Sequence, residues 1–290
     1  MLNFTIAIPD SVLRDAPDLR AKTVKVGEIA RAIAVHRVTE VVIYCDPTEK
    51  VPPTEKNLLL TLLRYIETPQ YLRKALFPLQ KALRFAGLLP PLATPHHPTT
   101  SRLAHFRDHE VREGVVVEKH KQSIHIDVGA EEPIRLLGAQ NLRPGDRVTV
   151  TVDKAKRTAR LMPRTEVAAY WGFRLVDPGK NLGAYLQQVP PRKGELRLAT
   201  SRTGTSLVDL HFEFSRRLRL APSILVAFGS PKLGLPELLT REGLELADMF
   251  DFCVNMLPWG QGTRTVRVDE ALHISLSLLW FLRIQEEHGS

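Results

Sequence analysis

Three short glycine-bearing stretches in the C-terminal half carry the clearest chemical signal: Thr200–Gly204, Gly229–Gly234 and Leu257–Arg264. Each follows an apolar, strand-like run, namely Glu195–Ala199, Ser223–Phe228 and Phe250–Met256. Glycine lacks a Cβ, so backbone N–H groups beside it can approach a ligand closely, and a strand–glycine loop–helix unit is a common cradle for a nucleotide. Ligands of an open parallel sheet sit at the carboxyl ends of its strands. Three such loops therefore imply one shared pocket. The spacings argue against two familiar versions of it. No G-x4-G-K-[ST] occurs, so this is not a P-loop. Gly260-Gln261-Gly262 begins like G-x-G-x-x-G, but Thr265 occupies the third position and no second βαβ unit follows, which argues against a Rossmann dinucleotide site. Two arginines, Arg202 and Arg264, lie on these loops.

The chain of 290 residues has a formal net charge of +8, which favours a polyanionic partner. Its basic residues cluster twice. Lys154, Lys156, Arg157 and Arg160 lie in one stretch, and Arg216, Arg217 and Arg219 in another. Of aromatic stacking platforms only Phe106 is near the first cluster, so contact with a nucleic-acid backbone is expected over base readout. Cys45 and Cys253 sit in apolar runs and read as buried thiols of a reducing compartment. His96-His97 falls in a Pro-rich stretch and reads as solvated. No zinc spacing occurs, and no metal is expected. The N-terminus lacks the pattern of a signal peptide, and the apolar stretch Ala271–Leu282 is too short to span a bilayer. A cytoplasmic protein without membrane contact is expected.

The elements that must position these residues alternate in type. Leu2–Ile8 and Val38–Cys45 read as strands, and Lys22–His36, Asn57–Glu67 and Tyr71–Gly87 as helices, a β-α-β-α opening of an α/β domain. Leu88–Thr100 is Pro-rich and aperiodic, as a linker is. From about His105 five short strands follow: Gly114–Glu118, Ser123–Val128, Ile134–Leu136, Arg147–Asp153 and Thr158–Met162. Their number and spacing suggest a small closed barrel, for which an OB-fold is the usual solution. The α/β pattern then returns with Asn181–Gln187 as a helix, the three strand–loop units, a partly helical Glu237–Ala247 and a long apolar helix from about Glu270. The expected organisation is an α/β half over 1–88, a linker over 89–104, an inserted OB-like barrel over 105–166 and a second α/β half over 167–290.

Taken together, Thr200-Ser201-Arg202-Thr203-Gly204, Ile224–Gly229, Phe250–Asn255, Gly260–Arg267 and the helix starting Glu270-Ala271-Leu272-His273 resemble the SPOUT methyltransferase superfamily. More narrowly they resemble its archaeal and eukaryotic branch with an OB-fold insertion, which has a centromere-associated human member. The resemblance covers nearly the whole chain. It implies a parallel α/β sheet closed by a C-terminal deep trefoil knot, a homodimer, and S-adenosylmethionine bound in the knot. By position it assigns Thr200 and Ser201 to the methionine or ribose end of that cofactor. Phe228, Gly229 and Gly234 then form one wall, and Asn255, Met256, Leu257, Gly260, Gly262 and Thr263 wrap the adenosine. Trp259 would stack on adenine or sit at a subunit seam.

If the acceptor is a ring nitrogen of uracil, its proton must leave, and a nearby cation stabilises the anion that forms. Arg202 and Arg264 are the candidates; no general base is evident, and His273 reads as a packed helix residue. The expected function is methylation of a base in structured, ribosomal-type RNA held by the basic barrel. The alternatives are a protein methyltransferase of the same fold and a non-catalytic RNA-binding assembly factor.

Overall fold

The computed structural model describes residues 2–120, 123–138 and 141–284. In chain order they form β1 (Asn3–Pro9), α1 (Leu19–Val35), β2 (Glu40–Tyr44), α2 (Pro53–Glu67) and α3 (Gln70–Leu76). Five strands follow: β3 (Glu110–His120), β4 (Ser123–Asp127), β5 (Ile134–Leu137), β6 (Arg147–Asp153) and β7 (Thr158–Leu161). The chain continues through β8 (Arg174–Val176), α4 (Leu182–Gln188), β9 (Glu195–Ser206), α5 (Leu207–Leu220) and β10 (Ser223–Ala227). It ends with α6 (Leu235–Arg241), α7 (Leu246–Met249), β11 (Phe252–Asn255) and α8 (Val268–Ile284). These elements fall into two compact units, one of Met1–Leu63, Phe85–Pro90 and Phe173–Ser290, the other of Arg64–Arg84 and Pro91–Gly172.

The first unit is built on a six-stranded sheet ordered β11-β9-β10-β1-β2-β8, with every neighbouring pair parallel. Strands β2 and β10 are buried along their whole length, and only Asn3 of β1 is exposed. This is why they read as continuous apolar runs and not as alternating ones. One core cluster packs Ala7, Val42, Tyr44, Leu225 and Ala227 against Leu182, Leu235, Leu238 and Leu239. Helix α8 packs against α1 and α5. The helix starts are capped by short polar side chains. Asp18 accepts from Ala21 N at 2.8 Å, Asn181 from Ala184 N at 3.2 Å and Ser206 from Val208 N at 3.2 Å.

The second unit contains a closed five-stranded barrel, ordered β3-β4-β5-β7-β6. Its pairs are antiparallel except β5–β7. The architecture is consistent with the inserted OB-like barrel expected from strand count and spacing. Phe106, Ile126, Val150, Val152 and Ala159 fill its interior. The same unit holds a buried ionic cluster. Arg147 Nε donates to Glu113 Oε2 at 2.6 Å, and its Nη1 donates to Glu67 Oε2 at 2.7 Å. Glu113 Oε1 also accepts from Thr149 Oγ1 at 2.6 Å and from Trp171 Nε1 at 2.5 Å.

Several local expectations are corrected. The helix expected over Tyr71–Gly87 stops at Leu76, because Pro78 forces Phe77 out of the helical region (φ −124°, ψ 107°); only short 3-10 turns follow. Strand β8 has no counterpart in the sequence reading, since three residues carry too little periodicity to register. Strand β9 does not end at Ala199 but continues to Ser206. His96 is not solvated: it is fully buried, with Nε2 at 3.0 Å from the Glu67 carbonyl and Nδ1 at 3.1 Å from Thr94 Oγ1. Burial and the neighbouring His96 push the His97 imidazole down to about 4, so His97 is neutral at physiological pH. Cys45 and Cys253 are half-buried, not buried, since both lie near the carboxyl ends of strands. No described helix is long and apolar enough to cross a membrane.

Candidate functional site

The carboxyl ends of β9, β10 and β11 come together around a cavity of about 460 Å³ in the first unit. Each strand delivers its loop by a different device. On β9 the ladder with β11 jumps: Ala199 faces Cys253, but the next β11 residue, Val254, faces Thr205. Residues 200–204 are therefore an excursion inside a strand, which re-aims their side chains as a bulge does. Thr200 Oγ1 anchors its base on the Ala227 carbonyl at 2.9 Å. Gly204 permits the return. A Cβ there would lie 2.7 Å from the Cys253 carbonyl oxygen.

After β10, Tyr44 Oη donates to the Phe228 carbonyl at 2.6 Å, fixing the start of the second loop. The loop then folds on itself, with Ser230 N donating to Leu233 O at 2.9 Å. Gly229 is what allows this, because a Cβ on it would stand 2.9 Å from Leu233 O. After β11, Asn255 is the organiser. Its Nδ2 donates to the Arg202 carbonyl at 3.1 Å and its Oδ1 accepts from Leu257 N at 2.9 Å, so one side chain ties the first loop to the third. A tight turn follows, closed by Gly260 N to Leu257 O at 3.1 Å, with Gly260 at φ +84°. It leaves Trp259 90% exposed.

Most of the residues expected in the pocket line it: Thr200, Ser201, Arg202, Phe228, Gly229 and Gly234, with Asn255, Met256, Leu257 and Arg264. Gly260, Gly262 and Thr263 belong to the same loop but do not line the cavity. The two candidate arginines meet. Arg202 Nη1 donates to the Arg264 carbonyl at 3.2 Å, and Gln261 Nε2 donates to that carbonyl at 3.0 Å. Both guanidinium groups belong to exposed residues at the cavity wall.

The structure adds residues that no motif announced. Lys25 of α1 is almost buried and reaches the cavity wall between Asp15, at 2.5 Å, and Asp269, at 3.3 Å. Glu237 of α6 also lines the cavity and has no ion-pair partner among the described residues. Lys25 comes from a helix remote in sequence from the glycine loops, so only the fold brings it there, whereas Glu237 sits in the first turn of α6, directly after the Gly229–Gly234 loop. The first turn of α8 contributes Val268 and Ala271 to the wall, and its start is held by Glu270 Oε2, which accepts from Arg267 N at 2.9 Å.

The basic clusters are less free than their sequence suggests. In the barrel, Lys154 pairs with Asp108 at 3.1 Å, Lys156 with Asp153 at 3.3 Å and Arg157 with Glu132 at 3.0 Å. Arg160 is exposed on β7 and makes no ion pair among the described residues. On α5, Arg217 pairs with Asp251 and lies over the Phe252 ring at 5.0 Å, Arg219 is half-buried, and Arg216 is exposed.

A family described as "Putative RNA methyltransferase" matches residues 3–279. The chain belongs to that family. It is a methyltransferase, and enzymes of this kind take their methyl group, in general, from S-adenosylmethionine. The chain is 32% identical over 305 residues to a human 28S rRNA (uridine-N(3))-methyltransferase, covering 95% of this chain and 77% of that protein. A Drosophila melanogaster protein of the same description is 32% identical over 309 residues, with 95% and 61% covered. An uncharacterised protein of the archaeon Haloarcula marismortui is 31% identical over 288 residues, with 95% and 98% covered.

The cavity suits a cofactor of that class in one testable respect: it is walled by backbone that tolerates no added atom at Gly229. Gly229→Ala should weaken binding of S-adenosylhomocysteine at least about tenfold, near 1.4 kcal/mol. Gly262→Ala, where nothing lies within 4 Å of the added carbon, should bind as the unmodified protein does. Titration calorimetry on the two variants checks the contrast.

Proposed function

We propose that this family member uses S-adenosylmethionine to methylate N3 of a uridine in ribosomal RNA. The observation that carries the reading is the meeting of the β9, β10 and β11 loops around one cavity with the Arg202 guanidinium at its wall, in a chain that is similar along 95% of its length to uridine-N3 methyltransferases of rRNA. Residues of the loops at Phe228–Gly234 and Asn255–Leu257 would hold the cofactor, largely through backbone groups that the glycines leave accessible. When bound, the cofactor supplies an electrophilic methyl on sulfur.

N3 of uridine carries a proton and has no free in-plane lone pair until that proton leaves. The chain's contribution is to position the base and to favour its anionic form. A guanidinium beside O2 or O4 of the ring does this by charge-assisted hydrogen bonding. Asn255 serves the same end indirectly, because it holds the Arg202 backbone. The charged residues exposed on the barrel and on α5, Arg160 and Arg216 first among them, would contact RNA phosphates, joined by the half-buried Arg219 and by Lys154, Lys156, Arg157 and Arg217 where the acidic partners of these four can be displaced.

The reading includes a deep trefoil knot and a homodimer. In support of the knot, β11 pairs with β9 on the side away from β10, and Gly204 lies against the β11 backbone. In support of the dimer, α1 and α8 expose Val24, Val35, Phe281 and Ile284. Light scattering on the purified chain should give twice the mass of 32.7 kDa.

The decisive measurement is nucleoside mass spectrometry of rRNA from cells with and without the gene. A 3-methyluridine present only with the gene, and restored in vitro by purified protein with S-adenosylmethionine, is the expected result. The in vitro rate should rise with pH through the neutral range, as the proton on N3 becomes easier to remove. Methyl transfer into another atom or into protein would overturn the proposal.

A further inference from the structure

The barrel carries a group of metal-ligating side chains that the methyl-transfer site does not use. Glu118 and His120 lie on β3 and His125 on β4. Their ligand atoms all fall within 4.8 Å of one another. The arrangement follows from register. Between Val116 and Glu118 the β3–β4 ladder shifts by one residue, so Val117 is an extra residue and Glu118 stands opposite His125. Directly opposed residues share a face, and residues two apart on a strand share a face. The bulge therefore puts Glu118, His120 and His125 together on the side away from the barrel interior, which Ile124 and Ile126 fill.

Two details favour a cation here over a chance grouping. Glu118 Oε2 and His120 Nε2 are 3.4 Å apart. Two ligands bound at about 2.0–2.1 Å to one tetrahedral zinc lie roughly 3.3 Å from each other. Further, His125 Nδ1 is out of solvent and makes no hydrogen bond among the described residues, although buried polar atoms normally find a partner. The side chains of Glu118 and His120 are 63% and 65% exposed, so both can swing to close the remaining gap to His125.

We propose that Glu118, His120 and His125 form a zinc site on the barrel. Two imidazoles and one carboxylate suit a divalent first-row metal, with water at the fourth position. The ion would clip β3 to β4 beside the bulge, where the ladder is weakest, and would add positive charge to a unit read as contacting RNA. The site lies outside the cofactor cavity and does not depend on the methyl-transfer reading.

The test uses the full chain, free of any purification tag and stripped of metal by a chelator, titrated with zinc sulfate in a calorimeter. One zinc per chain is expected. His125→Ala and His120→Ala should each weaken it on the order of 100-fold, and Glu118→Gln about tenfold, with unchanged far-ultraviolet circular dichroism. The Cys45→Ser/Cys253→Ser double variant should bind as the unmodified chain does, which separates this site from the thiols. With cobalt, a visible absorption band should appear in the unmodified chain and be absent from His120→Ala/His125→Ala. Absence of a one-to-one site, or a site that survives in that double histidine variant, would overturn the proposal.

Discussion

Arg202→Ala should lower the methyl-transfer rate by about 10²–10³-fold while cofactor affinity changes only a few-fold. The size follows from what the guanidinium is asked to do. In the proposed reaction uridine N3 attacks as an anion, and charge spread over O2, N3 and O4 in a partly desolvated cavity is costly without a donor aimed at it. Arg202 is set for this by its surroundings. Its carbonyl is held by Asn255 Nδ2, and Nη1 rests on the Arg264 carbonyl at 3.2 Å. That second bond is to a backbone oxygen and not to a carboxylate, so the positive charge stays available. The loss should therefore appear in kcat, with KM for RNA moving little. Arg202→Lys keeps a charge but not the planar fork, and should recover part of the rate. Arg264→Ala should act differently. Its carbonyl, which does the positioning, survives the substitution, so the loss should be smaller and fall mainly on KM. Single-turnover assays with labelled cofactor, beside calorimetry with S-adenosylhomocysteine, separate the two. If Arg202→Ala also loses the cofactor, the residue is structural and the assignment fails.

The same residues show which parts of the molecule could be read from the sequence. Strands β1, β2 and β10 were legible because burial on both faces writes itself as an unbroken apolar run. The barrel was legible because short alternating strands and turn residues recur at even spacing. The pocket was legible through its glycines, and Gly204 and Gly229 prove to be places where a Cβ would strike backbone. What the sequence hid was set by long-range pairing. Nothing local says that β9 resumes its ladder at Thr205 after an excursion, because β11 alone dictates it. Lys25 reaches the cavity from α1, far in sequence from every glycine loop, and carries no motif. Gly262 and Thr263 looked equivalent to Gly229 as loop residues, yet they lie off the cavity. His96 looked solvated among prolines, and only the fold supplies the Glu67 carbonyl that holds it.

That corner of the second unit yields the largest expected effect on stability. Arg147→Ala should destabilise the protein by about 3–5 kcal/mol, since it leaves the buried Glu113 without its ion pair and Glu67 with only the more distant Arg164 Nη2 at 3.6 Å. Glu67 and Glu113 are almost wholly buried, and Arg147 stands between them. Burial alone would raise the Glu67 carboxyl. The Arg147 charge and the bonds from His96 and Arg147 outweigh it, and the carboxyl ends below the usual range. A depressed folded-state pKa contributes stability that is present above the unfolded value and lost as pH falls through the folded one. Acid should thus destabilise the unmodified protein at this site. Arg147→Ala removes the largest of these opposing influences and leaves the burial, so its Glu67 pKa should rise relative to the unmodified protein, and the stability deficit of the variant should widen as pH rises from acid towards neutral. Changing all three groups together, Glu67→Gln, Glu113→Gln and Arg147→Met, should cost much less than Arg147→Ala alone, because no charge is then left unpaired. Thermal unfolding of the unmodified protein and the single and triple variants between pH 5 and pH 8 tests this. Equal losses in the single and triple variants would show that packing at Arg147, and not its charge, holds the cluster together.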